Sequence, residues 1–282
     1  MIIGFLGKGG SGKSTLSSLY ARYLASADCD VLAIDADHNM DFSYNLGLKD
    51  EMEQYVGQGL PELLGAINVN GDYRETFFLD QDPRFTFHPN DPFTAQFAID
   101  LEPNLALMVT GPHTAAILFD QSCSHSLITP LKIYLPFLDL GPKQFAIVDE
   151  KAGVDGVGTG ITTGFDVAVV VSEPTRHGVK AAQQIIKLLE FYSTPYLWVL
   201  NKVVNEDEIA SAESVMGRKP NAIFGFERPD FSKVQSSQVP PLQELHTAVL
   251  AMKDSGPSRA ERSKKKFQRN RSFSEDDQYQ GI

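Results

Sequence analysis

A run of four glycines, two lysines and three hydroxyl side chains spans residues 7–15, directly after the apolar residues 2–6. Glycines let the backbone curl so that successive N–H groups point at phosphate oxygens. In the spacing G-x-x-x-x-G-K-S, the lysine would reach the β- and γ-phosphates and the serine hydroxyl would ligate Mg²⁺. The pattern therefore predicts a nucleotide-binding loop between a strand and a helix. Its predicted members are Gly7, Gly9, Gly10, Ser11, Gly12, Lys13, Ser14 and Thr15.

A second lysine, Lys8, stands one residue after the first glycine of this loop. A cation there is placed to neutralise phosphate charge in the manner of an arginine finger, including charge on a nucleotide held by a second subunit. With Lys8 at this position, the loop resembles that of the deviant Walker A ATPases, the MinD/ParA-like group of the SIMIBI class. The resemblance implies ATP-dependent homodimers, and it makes Lys8 and Lys13 candidate catalytic residues.

The composition fits one large α/β unit with a short extension. A chain of 282 residues with 42% hydrophobic content can bury one substantial core. We expect an ATPase domain over residues 1–250 and a basic, disordered tail over residues 251–282, which lack apolar periodicity. The net charge of −11 argues against a nucleic-acid partner. No apolar run reaches membrane-spanning length and no signal peptide precedes the first strand, so we expect a cytoplasmic protein without a membrane partner.

Short apolar runs alternate with helical stretches along the body of the chain. The runs are continuously apolar, as in strands buried on both faces, so they predict a doubly wound, mostly parallel sheet flanked by helices. In such a sheet, ligands bind beyond the carboxyl ends of the strands, and the residues that follow each run are functional candidates. The predicted strands are residues 2–6, 31–34, 105–109, 145–148, 167–171, 196–200 and 222–224.

Aspartates follow two of these strands. Asp35 and Asp37 stand in the run D-A-D-H-N, which resembles the switch I motif D-x-D-P-[QND] of the same ATPase group, with His38 at the position where proline is usual. The resemblance implies that Asp37 is catalytic and orients the attacking water, and that Asp35 lies near Mg²⁺. Asp149 closes the strand at residues 145–148 in the Walker B arrangement, where a carboxylate holds Mg²⁺ directly or through water.

The residues after Asp149 point to one branch of the group. Together with Ala152 and Gly153 they resemble the switch II of the CooC-type carbon monoxide dehydrogenase maturation factors, although Gly156 and Thr159 replace its histidine and arginine. Glycines free such a loop to reposition on hydrolysis. The two replacements leave open whether the loop meets the same client surface.

Asn201 and Lys202 end another predicted strand, as in the purine-binding loop of this superfamily. The amide of Asn201 offers both a donor and an acceptor, which the N6 and N7 edge of adenine requires. We therefore expect both residues to contact the nucleotide, with an ordinary turn as the alternative.

A cysteine and a histidine lie close together in the long connection between residues 109 and 145. The CooC-type proteins carry C-x-C here, and two copies form a four-thiolate metal site across the dimer axis, whereas this chain has Cys123-x-His125. A thiolate and an imidazole from each of two subunits would give a four-coordinate set that suits Zn²⁺ or Ni²⁺. A purely structural role for the loop is the alternative.

The resemblance implies a Mg-ATP-dependent dimeric ATPase switch that inserts nickel into a client metalloenzyme such as carbon monoxide dehydrogenase. A spatial regulator of the ParA or MinD kind is the first alternative, and it needs a basic DNA-binding face or an amphipathic C-terminal helix. A redox protein like the nitrogenase iron protein is the second, and it needs two cysteine ligands per subunit. The acidic body and unpatterned tail argue against the first, and the position of Cys29 argues against the second.

Overall fold

A central parallel sheet carries the fold. The structure is a computed structural model that describes residues 1–119, 123–158, 161–228 and 230–272. The strands of the described residues are β1 (Ile2–Gly7), β2 (Asp30–Asp35), β3 (Phe85–Thr86), β4 (Ala98–Glu102), β5 (Leu105–Val109), β6 (Leu138–Asp139), β7 (Gln144–Asp149), β8 (Val167–Ser172), β9 (Tyr196–Val203) and β10 (Ala222–Gly225). Among them, eight form one sheet in the order β10-β9-β8-β1-β7-β2-β5-β4, and β3 pairs with β6.

Helices cover both faces of this sheet. They are α1 (Lys13–Ser26), α2 (Asp41–Asn45), α3 (Leu60–Ala66), α4 (Pro92–Phe97), α5 (Ala115–Leu118), α6 (Thr129–Phe137), α7 (Val154–Gly158), α8 (Arg176–Phe191), α9 (Glu206–Met216), α10 (Val239–Ala251) and α11 (Arg259–Ser272). In the described part of the chain, no helix is long and apolar enough to cross a membrane.

The two faces of the sheet have separate apolar cores, which explains the unbroken apolar runs. In β1, Ile2 and Leu6 belong to a core with α6 and α8, whereas Ile3 and Phe5 belong to a core with α1 and α10. Successive strand residues point to opposite faces, so a strand covered on both sides must be apolar throughout. The prediction of a doubly wound, mostly parallel sheet is confirmed, with strands at all seven predicted positions.

Strand β4 was not predicted, and it is the antiparallel member of the sheet. It pairs with β5 at the sheet edge, where Asp100 and Glu102 interrupt its apolar residues. An edge strand has one exposed flank, and charged side chains there block further pairing. The continuous apolar signature of buried strands is therefore missing from β4.

The C-terminal segment differs from the expected disordered tail. Residues 259–272 form α11, a helix that packs against α6 and against two 3₁₀ turns, Tyr73–Phe78 and Ile161–Gly164. Its sequence lacks an apolar stripe, which is why periodicity did not indicate it. The helix buries cationic and hydroxyl side chains by hydrogen-bonding them to the body. The part of the predicted tail after residue 272 lies outside the described residues.

Candidate functional site

The phosphate loop joins β1 to α1 at the carboxyl edge of the sheet. Gly7 closes β1, Gly9 and Gly10 are exposed, Ser11 is buried, and Lys13, Ser14 and Thr15 open α1. Gly12, the residue before α1, has φ 89°, in the left-handed region that favours glycine. A Cβ atom at position 12 would lie 2.2 Å from Nδ2 of Asn201. Both its backbone angle and its close neighbour therefore require glycine here.

Lys13 connects the loop with two aspartates from neighbouring strands. Its Nζ lies 3.1 Å from Oδ2 of Asp149 and 3.5 Å from Oδ2 of Asp37. The hydroxyl of Ser14 donates to the same Asp149 oxygen at 2.7 Å. Because β1, β7 and β2 are adjacent and parallel, their carboxyl ends meet at one edge. The structure thus brings together four of the predicted site residues: Lys13, Ser14, Asp37 and Asp149.

Burial and charge act against each other in this cluster. Burial alone would lower the pKa of Lys13, but the carboxylates of Asp149 and Asp37 outweigh it and raise that pKa. Burial raises the pKa of Asp149, and its contacts with Lys13, Ser14 and Ser17 offset only part of this effect. The lysine is therefore held as a buried cation whose partners are carboxylates. A phosphate oxygen is a chemically equivalent partner for it.

Asp35 is buried at the end of β2, where its carboxylate binds the start of α2 and the switch I segment, defined as residues 35–39. Its Oδ2 accepts from the backbone N–H of Ser43 at 2.8 Å and from the Ser43 hydroxyl at 2.6 Å. Its Oδ1 accepts from the backbone N–H of Asp37 at 3.1 Å. Burial, followed by the nearby charge of Asp149, raises the pKa of Asp35 to about 7. Asp35 thereby fixes the backbone that carries Asp37.

The donor set at this edge fits Mg²⁺. Ser14 offers a hydroxyl oxygen, and Asp149 and Asp35 offer carboxylate oxygens, the ligand types that this hard cation prefers. Asp149 is fully buried, and the Ser14 hydroxyl contacts it directly. Burial of a carboxylate beside a hydroxyl is costly unless a cation neutralises it. Lys13 supplies that cation in this structure.

Asn201 and Lys202 support the phosphate loop from β9. Asn201 Nδ2 donates to the carbonyl of Ser11 at 2.9 Å. Lys202 Nζ donates to the carbonyl of Gly10 at 2.5 Å and to Oε1 of Glu173 at 2.8 Å. This supporting role was not anticipated, and contact with a purine base stays a prediction.

Lys8 belongs to the phosphate loop and His38 to the switch I segment, and their surroundings differ. Lys8 is exposed, and among the described residues its ammonium group has no hydrogen-bond or ion-pair partner. His38 Nδ1 is 3.1 Å from the carbonyl oxygen of Gly111, and its ring centroid lies 4.7 Å from that of His113. Burial lowers the pKa of His38. The histidine therefore ties switch I to the loop after β5 by a hydrogen bond, where a proline would restrict the backbone instead.

Cys123 and His125 lie together on the surface. Cys123 Sγ is 3.0 Å from Nδ1 of His125, and both residues are exposed. In the described residues, no group of three or more Cys, His, Asp or Glu side chains is arranged to hold a metal ion. One chain thus presents two of the predicted ligands. The predicted switch II residue Thr159 lies outside the described residues.

Glu150 was missed by the sequence analysis. It follows the Walker B residue Asp149 directly, and it is fully buried. One carboxylate oxygen accepts from the backbone N–H of Lys151 at 3.2 Å, and the other has no hydrogen-bond partner in the described part of the molecule. Burial raises the pKa of Glu150 to about 8. The sequence did offer one signal for Glu150, namely an acidic residue directly after a buried strand.

A glycine loop between a buried strand and a helix, with its lysine and serine facing a strand-terminal aspartate, defines a P-loop nucleotide-binding protein. The chain belongs to the CobQ/CobB/MinD/ParA nucleotide-binding domain family, whose model matches residues 2–241. It is 28% identical to an uncharacterized ATP-binding protein of Methanocaldococcus jannaschii over 229 residues, 79% of this chain and 87% of that protein. It is therefore a MinD/ParA-family ATP-binding protein.

The chain is also similar to one curated protein and to one solved structure whose names describe a role. The carbon monoxide dehydrogenase accessory protein CooC of Rhodospirillum rubrum is 29% identical over 188 residues, 66% of this chain and 67% of that protein. The septum site-determining protein MinD of Pyrococcus horikoshii, solved with Mg-ADP, superposes with a TM-score of 0.56 at 17% identity over 89% of this chain and 96% of that chain. The second likeness concerns the fold alone.

Proposed function

We propose that the protein is a Mg-ATP-dependent ATPase that closes into a homodimer when ATP is bound. The observation that carries this proposal is the meeting of Lys13, Asp37 and Asp149 at the carboxyl edge of three adjacent parallel strands. A buried lysine with two carboxylate partners, at the end of a glycine loop, is arranged to exchange those partners for phosphate oxygens.

Each residue of the cluster has a distinct part in the proposed reaction. Lys13 holds the β- and γ-phosphates, and Asp37 positions the attacking water from the switch I segment. Mg²⁺ neutralises phosphate charge when bound, and Ser14, Asp149 and Asp35 would hold it. Asn201 and Lys202 keep the loop backbone in place through the carbonyls of Ser11 and Gly10.

The hydrolytic role of Asp37 is tested by Asp37→Asn, with Asp41→Asn as the matched control. Asp41 is exposed at the start of α2, a few residues away. We expect Asp37→Asn to retain ATP affinity within about threefold, to lose phosphate release by about 100-fold or more, and to accumulate as an ATP-bound dimer in size-exclusion chromatography. Asp41→Asn should resemble the parent. An Asp37→Asn protein that hydrolyses ATP at the parent rate would sink the assignment.

Lys8 is proposed to contact the nucleotide of the second subunit, because its side chain is exposed at the loop. Lys8→Ala should weaken nucleotide-dependent dimerisation by about tenfold or more while monomer affinity for ATP changes by less than about threefold. Sedimentation with a non-hydrolysable ATP analogue measures both. Unchanged dimerisation with strongly weakened monomer binding would instead place the action of Lys8 within its own subunit.

The proposed work of the ATPase cycle is delivery of nickel to a client metalloenzyme such as carbon monoxide dehydrogenase. The relative from Rhodospirillum rubrum supports it, since that protein is a carbon monoxide dehydrogenase accessory protein. The exposed pair of Cys123 and His125 supplies two ligands per chain, so two chains would complete a four-coordinate set for Ni²⁺ or Zn²⁺. Closure of the dimer would then build the metal site.

Metal titration of the dimer tests this part of the proposal. We expect about one Ni²⁺ or Zn²⁺ per two chains, tighter with ATP, and affinity lower by about tenfold or more in Cys123→Ser and His125→Ala. Cys29→Ser is the matched control, because Cys29 is buried elsewhere in the core. Equal affinity in all four proteins would remove the metal site from the proposal and leave the ATPase.

A spatial regulator of the ParA or MinD kind is the second candidate. It is supported by the family to which the chain belongs, whose description names MinD and ParA. ATP-dependent binding to anionic vesicles or to DNA would favour this candidate. ATP-dependent metal binding without either association would favour nickel delivery.

A further inference from the structure

The C-terminal helix docks on the body through polar groups. In the α11 strap, defined as residues 259–272, the side chains of Arg262, Ser263, Lys266 and Phe267 are 4%, 0%, 8% and 3% exposed. Fully burying cations is costly unless they are hydrogen-bonded or paired. The position of the strap is therefore set by the acceptors that these side chains find.

Those acceptors lie in the segment that follows switch II, here defined as residues 149–158. The Arg262 guanidinium donates to the carbonyls of Thr163 and Phe165, and the Ser263 hydroxyl lies 2.8 Å from that of Thr163. The ring of Phe267 stacks on Phe77, with centroids 4.2 Å apart. The strap thus holds the backbone immediately downstream of switch II against the body.

Lys266 reaches switch II itself. Its Nζ donates to the carbonyl of Gly158, the last residue of α7, at 3.4 Å. The final carbonyls of a helix have no partner within the helix, so an external donor satisfies one of them. The ammonium group also lies over the ring of Tyr192, 4.1 Å from its centroid. A single side chain therefore contacts both the end of the switch helix and the adjacent α8–β9 connection.

The opposite end of switch II is part of the nucleotide cluster. Asp149 accepts from Lys13 and Ser14, and the next residue, Glu150, is buried within electrostatic reach of Lys266 and of Lys132 on α6. A Cβ atom at Gly156 of α7 would lie 3.0 Å from Cγ of Glu150, so Glu150 packs under the switch helix. A buried carboxyl group with one oxygen unpartnered among the described residues depends on the arrangement of every group around it.

We propose that Lys266 is a positioning residue for the proposed ATPase reaction, because the α11 strap uses it to hold the switch helix α7 above the Walker B segment. The expected effect on hydrolysis rests on the proposed function, whereas the role of Lys266 in holding α7 does not. While the strap is docked, Glu150 and the C-terminal end of α7 stay in a single position relative to each other. When the contact at Gly158 is removed, switch II opens locally more often, and the residues beside Asp149 are less well placed for hydrolysis.

The test compares Lys266→Met with Lys265→Met in the full chain. Lys265 is the exposed neighbour on the same helix, so the control makes the same Lys-to-Met change without removing the contact. Hydrogen–deuterium exchange is measured without nucleotide on peptides covering residues 150–158 and 259–272, and steady-state hydrolysis gives kcat and KM. We expect Lys266→Met to raise exchange in residues 150–158 by about threefold or more and to lower kcat about fivefold with KM within about twofold. Lys265→Met should match the parent.

A second variant loosens the docking of the strap while it keeps the Lys266 side chain. Ser263→Ala loosens α11 at Thr163, away from Gly158, so exchange should rise in residues 259–272 and, with it, in residues 150–158. Parent-like exchange in residues 150–158 of Lys266→Met overturns the proposal, whether or not α11 itself has loosened. A parent that does not hydrolyse ATP would contradict the proposed function, and the nucleotide-free exchange data would still decide the role of Lys266.

Discussion

Two regions of the molecule bury cationic side chains and give them different partners. The nucleotide edge is the carboxyl edge of the sheet around Lys13, Asp37 and Asp149, and the α11 face is the surface of the body under the α11 strap. At the nucleotide edge, Lys13 meets the carboxylates of Asp149 and Asp37. At the α11 face, Arg262 and Lys266 meet mainly backbone carbonyls. Carboxylates raise the pKa of Lys13, whereas burial lowers the pKa of Lys266 to about 7. The first arrangement keeps a permanent charge for a ligand, and the second uses donors to attach a helix.

The two regions also differ in how far apart in the sequence their contacting residues lie. The phosphate loop occupies consecutive residues, so one backbone path sets most of its donors. The α11 strap depends on carbonyls about 100 residues earlier in the chain, since Arg262 reaches Thr163 and Phe165. A change in the loop should therefore affect ligand binding first, and a change under the strap should affect stability first.

The largest effect should come from breaking the loop geometry. In Gly12→Ala, the new methyl group would collide with Asn201 Nδ2 and the residue would keep an unfavourable positive φ. We expect Mg-ATP affinity to fall by about 100-fold or more, because the N–H groups of the loop no longer converge. Isothermal titration with Mg-ATP measures the loss. Gly65→Ala on α3, where a Cβ atom has open space, should bind as the parent does.

An intermediate effect should follow from unpacking the strap. Phe267→Ala removes a ring that is 3% exposed and stacked on Phe77, so the free energy of unfolding should fall by about 3 kcal/mol. Chemical denaturation measures this loss, and Phe119→Ala, at a ring 74% exposed, should cost less than about 0.5 kcal/mol. Mg-ATP affinity should stay within about threefold of the parent. A large loss of affinity would show that the two regions are not separable.

A smaller, pH-dependent effect distinguishes the buried cations. In the folded protein, burial and then the charge of Lys132 lower the pKa of Lys266 from 10.5 to about 7, while the buried carboxyl of Glu150 opposes this. Between these two values the unfolded chain binds the extra proton, so folded stability rises with pH. Relative to Lys266→Met, the parent should gain at most about 2 kcal/mol between pH 7 and about 9. Parallel stability curves for the two proteins would contradict this titration.

The sequence predicted two kinds of feature: motifs formed by consecutive residues, and strands that are buried on both faces of the sheet. The continuous apolar runs located β1, β2 and β5, and the glycine loop located Lys13 and its neighbours. It did not predict the edge strand β4, because a strand at the edge of a sheet has one exposed flank and lacks the continuous apolar run of a buried strand. It did not predict α11 either, because a helix that docks through Arg262 and Lys266 has the composition of a solvated segment.

The residues of the candidate site fall into the same two groups: those that a motif identifies, and those that only the packing of distant segments brings together. The aspartates at the carboxyl ends of β2 and β7 were identifiable because parallel strands present these ends at one edge. The hydrogen bond from Asn201 to the Ser11 carbonyl depends on how distant segments pack, so no spacing in the sequence encodes it. Glu150 could have been found from its position directly after a buried strand, but the lack of a partner for one of its oxygens among the described residues is visible only in the structure. Motif patterns therefore located the phosphate loop and the aspartates beside it, and the structure was needed for the groups that hold them in place.

The central claim is that Lys13 is held as a buried cation in order to bind the phosphates of Mg-ATP. Equilibrium binding of Mg-ATP to the parent, to Lys13→Ala and to the exposed-lysine control Lys49→Ala tests it directly. We predict that Lys13→Ala weakens binding by about 100-fold or more while Lys49→Ala binds as the parent does. Equal Mg-ATP affinity in all three proteins would contradict the claim, and with it the assignment of the loop as the nucleotide site.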